Sequence, residues 1–224
     1  MRNLAIVCSL CIFLMACISS ESSDQPQGTI EYEVTYLSNL SSMPTNLLPK
    51  KILLKFKSNK SITTIEGFMG MFSLSNICDF RKHTNTLILK VMDNKFVYIG
   101  EKYESPFFYD QLGALNITLT NETKIMAGLL CQKALATPQS GKIKPFEIYY
   151  TQEISLTNAN KSSPFESIDG VLMQFNIKLS TIEMKLAASK YKKEYFSSDL
   201  FDIPKECKKI SKTKMSNIIN KLLE

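Results

Sequence analysis

The sequence predicts a mainly β domain built on an antiparallel sheet and finished by a C-terminal amphipathic helix, an α+β protein with little helix. Short runs alternating in period two, rich in β-branched and aromatic residues, recur between residues 28 and 210. Polar turn clusters separate these runs at short intervals. A helical period dominates only the closing stretch, residues 211–224.

The chain begins with a cationic Met1-Arg2-Asn3 and an apolar run from Leu4 to Ala16, about thirteen residues. A helix needs roughly 20 apolar residues to cross a bilayer core, so this run reads as a secretory signal peptide rather than a membrane span. Leu14-Met15-Ala16-Cys17 is similar to a bacterial lipobox. On that reading residues 1–16 are removed by a lipoprotein signal peptidase, and Cys17 becomes the acylated first residue because its thiol accepts the diacylglycerol. The other reading is an ordinary signal peptide cut after Ala16 with an incidental cysteine. Several acyl chains anchor far more firmly than one, since each buried methylene contributes about 0.8 kcal/mol. Residues 17–27 then form the acylated cysteine and a flexible polar tether, with "ISSESSDQPQ" too polar to fold alone. Glu21 and Asp24 in that tether are candidates for an acidic export signal to the outer leaflet. The expected location is the cell envelope, lipid-anchored at the outer membrane on its periplasmic or surface face.

The sheet is expected to start at Gly28 to Leu37, where Ile30, Tyr32, Val34 and Tyr36 alternate with Thr29, Glu31, Glu33 and Thr35, a strand wet on one face. Ser38 to Lys50 carries two prolines and reads as an irregular connection with at most a short helical turn. Lys51 to Lys57 and Ser61 to Ile65 form a hairpin across Ser58-Asn59-Lys60. Strands follow at Phe72 to Phe80, Thr86 to Val91 and Phe96 to Gly100, with turns at "RKHTN" and Asp93-Asn94. "ESPFFYDQ", Glu104 to Gln111, is a loop whose aromatics either pack into the mouth of the sheet or meet a ligand. Thr120 to Pro138 and Pro145 to Ile154 supply further strands, as does Ile168 to Leu179. Thr181 to Tyr195 is read as a long strand near an edge of the sheet, its lysines blunting that edge, although Ala187-Ala188 also suits a helix. From Ser211 to Glu224, Met215, Ile218, Ile219, Leu222 and Leu223 fall at i, i+3, i+4, i+7 and i+8. That stripe is expected to pack across the sheet, with a membrane surface or a partner as the other possible cover.

Within this pattern Glu122, Thr123, Lys124, Gly128, Cys131, Lys133 and Ala134 follow an E-T-K, then G-x-x-C-x-K-A arrangement, and a strand carrying Tyr-Thr-x-Glu-Ile comes after it. These residues resemble the GLPGLI family of Bacteroidetes-type lipoproteins, whose function is uncharacterised. Met126 and Leu129 stand where the family has Ile and Tyr, and Gly170 is followed by Val171-Leu172 where it has Leu-Pro. The resemblance implies a strongly curved antiparallel half-barrel of the lipoprotein-carrier type, with loop or helical segments in its mouth around an apolar cavity. Read from the residues alone, Gly128 permits a tight backbone between two strands, so the motif is a structural hairpin.

Removing residues 1–16, which carry one basic and no acidic side chain, leaves 208 residues and a net charge of +5. The length suits one domain. The charge is spread rather than gathered in a basic stripe with aromatics, so nucleic acid is not an expected partner. Cys8 and Cys11 leave with the signal, and Cys78, Cys131 and Cys207 remain, enough for at most one disulfide of unassigned pairing. His83 is the one histidine and has no second histidine to share a metal. Glu31 and Glu33 share a strand face that looks wet, and the chain has no tryptophan to build sugar subsites. No phosphate loop, dinucleotide fingerprint, paired CxxC or HExxH occurs. A non-enzymatic protein without metal or cofactor is therefore expected.

Three functions remain open. The first is binding of a hydrophobic ligand, lipid or lipoprotein in a cavity lined by strand residues such as Ile30, Tyr32, Leu54, Phe56 and Ile148, which needs several hundred cubic ångströms. The second is a lipoprotein with a filled interior that meets an envelope partner. The third is an enzyme of unrecognised class. Asn116-Ile117-Thr118 and Asn121-Glu122-Thr123 are formal glycosylation acceptors, relevant only if the lipobox is coincidental in a eukaryotic secreted protein.

Overall fold

The computed structural model of the chain describes residues 25–41, 44–67, 70, 72–141 and 143–223. The signal peptide, the lipobox from Leu14 to Cys17, and Glu21 and Asp24 of the tether lie outside the described residues. The strands are β1 (Gln27–Asn39), β2 (Lys51–Lys57), β3 (Lys60–Gly67), β4 (Phe72–Asp79), β5 (Thr84–Val91), β6 (Asn94–Ile99), β7 (Leu115–Met126), β8 (Leu129–Pro138), β9 (Phe146–Thr151), β10 (Val171–Leu179), β11 (Ile182–Lys192) and β12 (Lys208–Lys209). Among the described residues there is a single α-helix, α1 (Lys212–Leu223), which comes last.

All twelve strands form one open sheet in the order β12-β6-β5-β4-β3-β2-β1-β11-β10-β9-β8-β7. Every pairing is antiparallel except β12 with β6. The mainly β, antiparallel reading of the sequence is thus the observed fold. Tight turns at Ser58, Met92, Ala127 and Ser180 each take positive φ, as the twist-matched hairpin turns require at their first position. β1 keeps the anticipated alternation: Ile30 and Tyr32 are buried, Val34 and Tyr36 partly so, and Glu33 and Thr35 face solvent. Glu31 on that outer face holds Lys51 of the neighbouring strand at 2.5 Å.

One face of the sheet carries almost the whole apolar core, which runs from β1 through β5 and from β8 through β11. A single sheet can bury one face this completely only by curling around its own side chains and the segments in its mouth. The chain fills the mouth with a 3₁₀ turn at Phe107–Tyr109, with residues 152–170, and with α1, whose Met215, Ile219 and Leu223 are buried in the same core. The terminal helix therefore packs on the sheet, the first of the two covers anticipated for its stripe. Lys212 at its start bridges Glu104 and Asp110, both at 2.7 Å, and so ties the helix to the loop at the mouth.

The structure adds to the sequence reading at two strands, since β7 begins at Leu115 rather than Thr120 and β12 was not anticipated, and it moves a third. Thr181 to Tyr195 does contain a strand, but β11 lies inside the sheet between β1 and β10, not near an edge. Its lysines point to the wet outer face, while Met184, Leu186 and Ala188 face the core. The edges are β7 and the two-residue β12. A register shift between Leu119 and Thr123 interrupts β7, the kind of bulge that discourages pairing at an exposed edge.

Candidate functional site

Between the concave face and the segments in its mouth lies a cavity of about 90 Å³. Its apolar part is made by Tyr32 of β1, Ile52 and Leu54 of β2, Phe175 and Ile177 of β10 and Leu186 of β11. The registers put these side chains together, because Tyr32 pairs with Ile52, and Phe175 with Leu186. An aromatic cluster holds the far side. Tyr32 meets Phe175 edge-on at 5.6 Å, Phe175 meets Phe165 at 6.0 Å, and Phe165 meets Tyr109 at 5.3 Å. Strands β1 and β10, the 107–109 turn and residues 152–170 are thereby locked to one another.

The other wall is polar and comes from one end of β3, β4 and β5. Ser61 pairs with Cys78, and Cys78 with Asn85, while Asn76 pairs with Thr63 one step further in. All five line the cavity, joined by Asp79 at the end of β4 and His83 from the β4–β5 turn. Much of this polarity is engaged in holding the fold. Tyr32 donates its hydroxyl to the Leu172 carbonyl at 2.7 Å, and Asn85 donates to the Glu104 carbonyl at 2.7 Å. Asn160 donates to the Ile168 and Gly170 carbonyls at 3.0 and 2.8 Å, which fixes the 152–170 segment. Asp79 accepts the backbone N–H groups of Arg81 and Lys82 at 3.1 and 2.9 Å, shaping the turn that presents His83. The His83 ring stacks on Tyr103 at 4.7 Å, with φ of 55° at His83 itself.

Burial sets the chemistry of the ionisable groups here. The Cys78 thiol is pushed up to about 12 by loss of solvent, against the opposing hydrogen bonds from Asn76 and Ser61. The hydroxyls of Tyr32 and Tyr109 are raised for the same reason, each with a smaller contribution from a neighbouring ionisable group. These groups are neutral at physiological pH, and among the described residues Asp79 is the one Asp, Glu, Lys or Arg in the lining. Among the described residues no three His, Cys, Asp or Glu side chains are placed to hold a metal ion.

Of the residues anticipated as cavity lining, Tyr32 and Leu54 do line it. Ile30, Phe56 and Ile148 do not; each is fully buried in the packed core instead. Phe56 sits opposite Gly28, at one end of the β1–β2 pair, and Ile148 pairs with Ala134 in the β8–β9 wing. Cys78 lines the cavity, Cys131 is buried on β8, and Cys207 precedes β12; all three are free thiols, separated by the sheet order. The loop from Glu104 to Gln111 contributes Pro106, Phe108 and Tyr109 to the cavity wall. Sequence reasoning passed over Asn76, and it also missed the contribution of residues 152–170. Its one signal was the break in an apolar alternation, Phe72, Leu74, then Asn76 at the next inward position.

The residues from Glu122 to Ala134 form the β7–β8 hairpin, away from the cavity. Ala127 and Gly128, with φ of 49° and 83°, make its turn. Lys133 pairs with Glu122 and Glu147 at 2.9 Å each, linking three strands. Cys131 and Ala134 are buried, and the Lys124 ammonium stands 5.6 Å from the Tyr149 ring centre. The structural reading of this motif is the one the geometry bears out.

No family model and no curated protein matches the chain. Among solved structures it is similar to PNGF-II in its C2 crystal form, with TM-score 0.56 and 12% identity over 87% of this chain and 32% of that one. The P21 form of PNGF-II gives 0.55 and 11% identity over 87% and 33%. MucB in complex with MucA(peri) aligns with TM-score 0.32 and 10% identity over 82% of this chain and 56% of that one. The chain spans about a third of the length of PNGF-II, and at such identity the likeness is one of fold.

Proposed function

We propose that the chain is a lipid-anchored cell-envelope protein of the GLPGLI type that binds a small, largely apolar ligand in the cavity on the concave face of its sheet. The cavity itself carries this reading: strand side chains that a filled sheet would interlock leave about 90 Å³ open between β1–β5, β10, β11 and the segments in the mouth. Acylated Cys17 holds the domain to the membrane, and the polar stretch up to Gln27 lets it stand away from the surface. The domain then takes up ligand at the membrane face and shelters its apolar part.

The test is native mass spectrometry, with organic extraction, of the mature chain purified from bacterial envelopes. A lipid or other apolar species bound one to one is expected. A clean apo mass, unchanged after incubation with lipids and lipopeptides, overturns the proposal. The anchor is tested separately by Cys17→Ser, which should move the protein from the membrane to the soluble fraction.

One observation favours a second reading, an interaction lipoprotein with an essentially filled interior. Dedicated ligand pockets measure roughly 300–1,000 Å³, and this cavity is smaller. On that reading crosslinking in envelopes yields one discrete protein partner while the extracted protein carries no ligand.

A further inference from the structure

Among the described residues three buried side-chain polar atoms have no hydrogen-bond partner: Asn76 Oδ1, His83 Nδ1 and Ser105 Oγ. Asn76 and His83 line the same cavity, and Ser105 adjoins Pro106, which also lines it. Each such atom forfeits its hydration with nothing in return when left unpaired, and native structures hold few of them. Their collection around one cavity is the mark of a place where the missing partner belongs to something that binds.

Building on the proposed ligand-binding role, we infer that the cavity selects an uncharged amphiphile whose hydroxyl or amide head donates a hydrogen bond to Asn76 Oδ1, with its hydrocarbon against Tyr32, Ile52, Leu54 and Phe175. Asn76 is 2% exposed and sits on a strand position where Phe72 and Leu74 precede it facing inward. A leucine there would extend the core with no orphaned group. Its amide nitrogen is engaged with Cys78 Sγ at 3.0 Å, which leaves the oxygen as the free acceptor. An acceptor calls for a donor. The His83 ring, held by its stack on Tyr103, presents Nδ1 as donor or acceptor according to tautomer, and a hydroxyl or primary amide satisfies either.

The charges in the lining decide against the commoner lipid heads. Among the described residues no lysine or arginine borders the cavity, and Asp79 supplies a carboxylate, so a fatty-acid carboxylate or a phosphate would enter without a cation and beside a like charge. Water alone is a poor occupant. The space equals roughly six water sites, and the side chains of Ile52, Leu54, Phe175 and Leu186 along it offer no hydrogen bonds. A polar head at the Asn76 end with a short chain along the apolar walls matches both halves.

The test uses the full chain with Cys17→Ser, which lacks the acyl anchor, and three probes of equal length: 1-octanol, octanamide and octanoate at pH 7.5. Saturation-transfer NMR titrations should show octanol and octanamide binding at least about tenfold tighter than octanoate. Asn76→Leu should remove most of that preference, weakening octanol roughly fivefold or more without lowering the thermal midpoint, because the variant deletes an unpaired buried group. His83→Asn, whose side chain tolerates the positive φ of that turn, is the second variant and should weaken octanol while leaving the fold intact. Equal binding of all three probes, octanoate binding tightest, or an Asn76→Leu protein that still prefers octanol overturns the head-group assignment while leaving ligand binding standing. Binding of none of them overturns both, with water as the sole occupant.

Discussion

Replacing Phe165 with alanine tests whether the irregular 152–170 segment is a packed part of the core. Phe165 is fully buried and meets the rings of Tyr109 at 5.3 Å and Phe175 at 6.0 Å, both edge-on. Returning one phenyl side chain to water costs about 2 kcal/mol. The two edge contacts contribute about 0.5–1.5 kcal/mol each beyond their area, so the total falls in the range of about 3–5 kcal/mol seen for buried Phe→Ala changes. A domain of ordinary stability, about 5–15 kcal/mol, survives such a loss. With a urea slope near the top of the usual range, about 2–3 kcal/mol per molar, the unfolding midpoint should fall by about 1–2.5 M. Phe165→Leu keeps most of the apolar volume and should cost under about 2 kcal/mol. Equilibrium urea unfolding followed by far-UV circular dichroism is the assay. A Phe165→Ala midpoint within about 0.4 M of the parent refutes the reasoning, since it would mean that the segment closing the cavity is not packed against β10 and the 107–109 turn.

Two glycines should rank in a defined order. Gly128→Ala meets open space but a φ of 83°, and should cost about 1–2 kcal/mol; Gly170→Ala, whose Cβ would stand 2.6 Å from the Thr151 carbonyl at a φ of 146°, should cost more, as thermal unfolding of the pair would show. At pH 8 the Cys78 thiol, raised to about 12, should resist iodoacetamide in the native protein and react at the rate of a model thiol only once unfolded, which peptide mass mapping reads directly. Glu194 is held below the ordinary carboxylate value by hydrogen bonds from Lys192 and Thr29. A depressed carboxyl stabilises above its unfolded pKa of about 4.3, and that stability drains away as pH falls towards the lower folded value. Glu194→Gln should therefore flatten the decline of unfolding free energy between about pH 5 and 3, and an unchanged slope counts against the assignment.

Local patterns explain why so much of the sheet was legible. Ile30, Tyr32, Val34 and Tyr36 face one way because strand side chains alternate whatever the partner strand, and the same rule placed β2, β5 and β6 within a few residues of their observed ends. Hairpin turns are equally local, so Gly128 could be read as a turn residue without knowing what the hairpin packs on. The terminal helix showed itself through a stripe in which Met215, Ile219 and Leu223 are the residues that end up buried.

The candidate site was less legible, because its walls come from segments far apart in the chain. Asn76 looks like any polar residue in a strand until the registers place it beside Thr63 and facing Phe175's side of the curl. Residues 152–170 have no repeating pattern to betray them; Phe165 and Asn160 hold that segment through ring contacts and carbonyls supplied by the fold.

By itself the sequence determined most of the strands, the tight turns between them and which face of the terminal helix is apolar, since each follows from neighbours within a few residues. Only the tertiary structure decided that β11 belongs inside the sheet, because Thr29 pairs with Lys192 and Val34 with Leu186 across most of the chain, and no local period encodes such a pairing. The same curling of the sheet decided that Ile30, Phe56 and Ile148 interlock while Tyr32 and Leu54 border open space. All five are inward-facing apolar residues in sequence, and the difference between core and cavity lies in what the opposite wall brings to meet them.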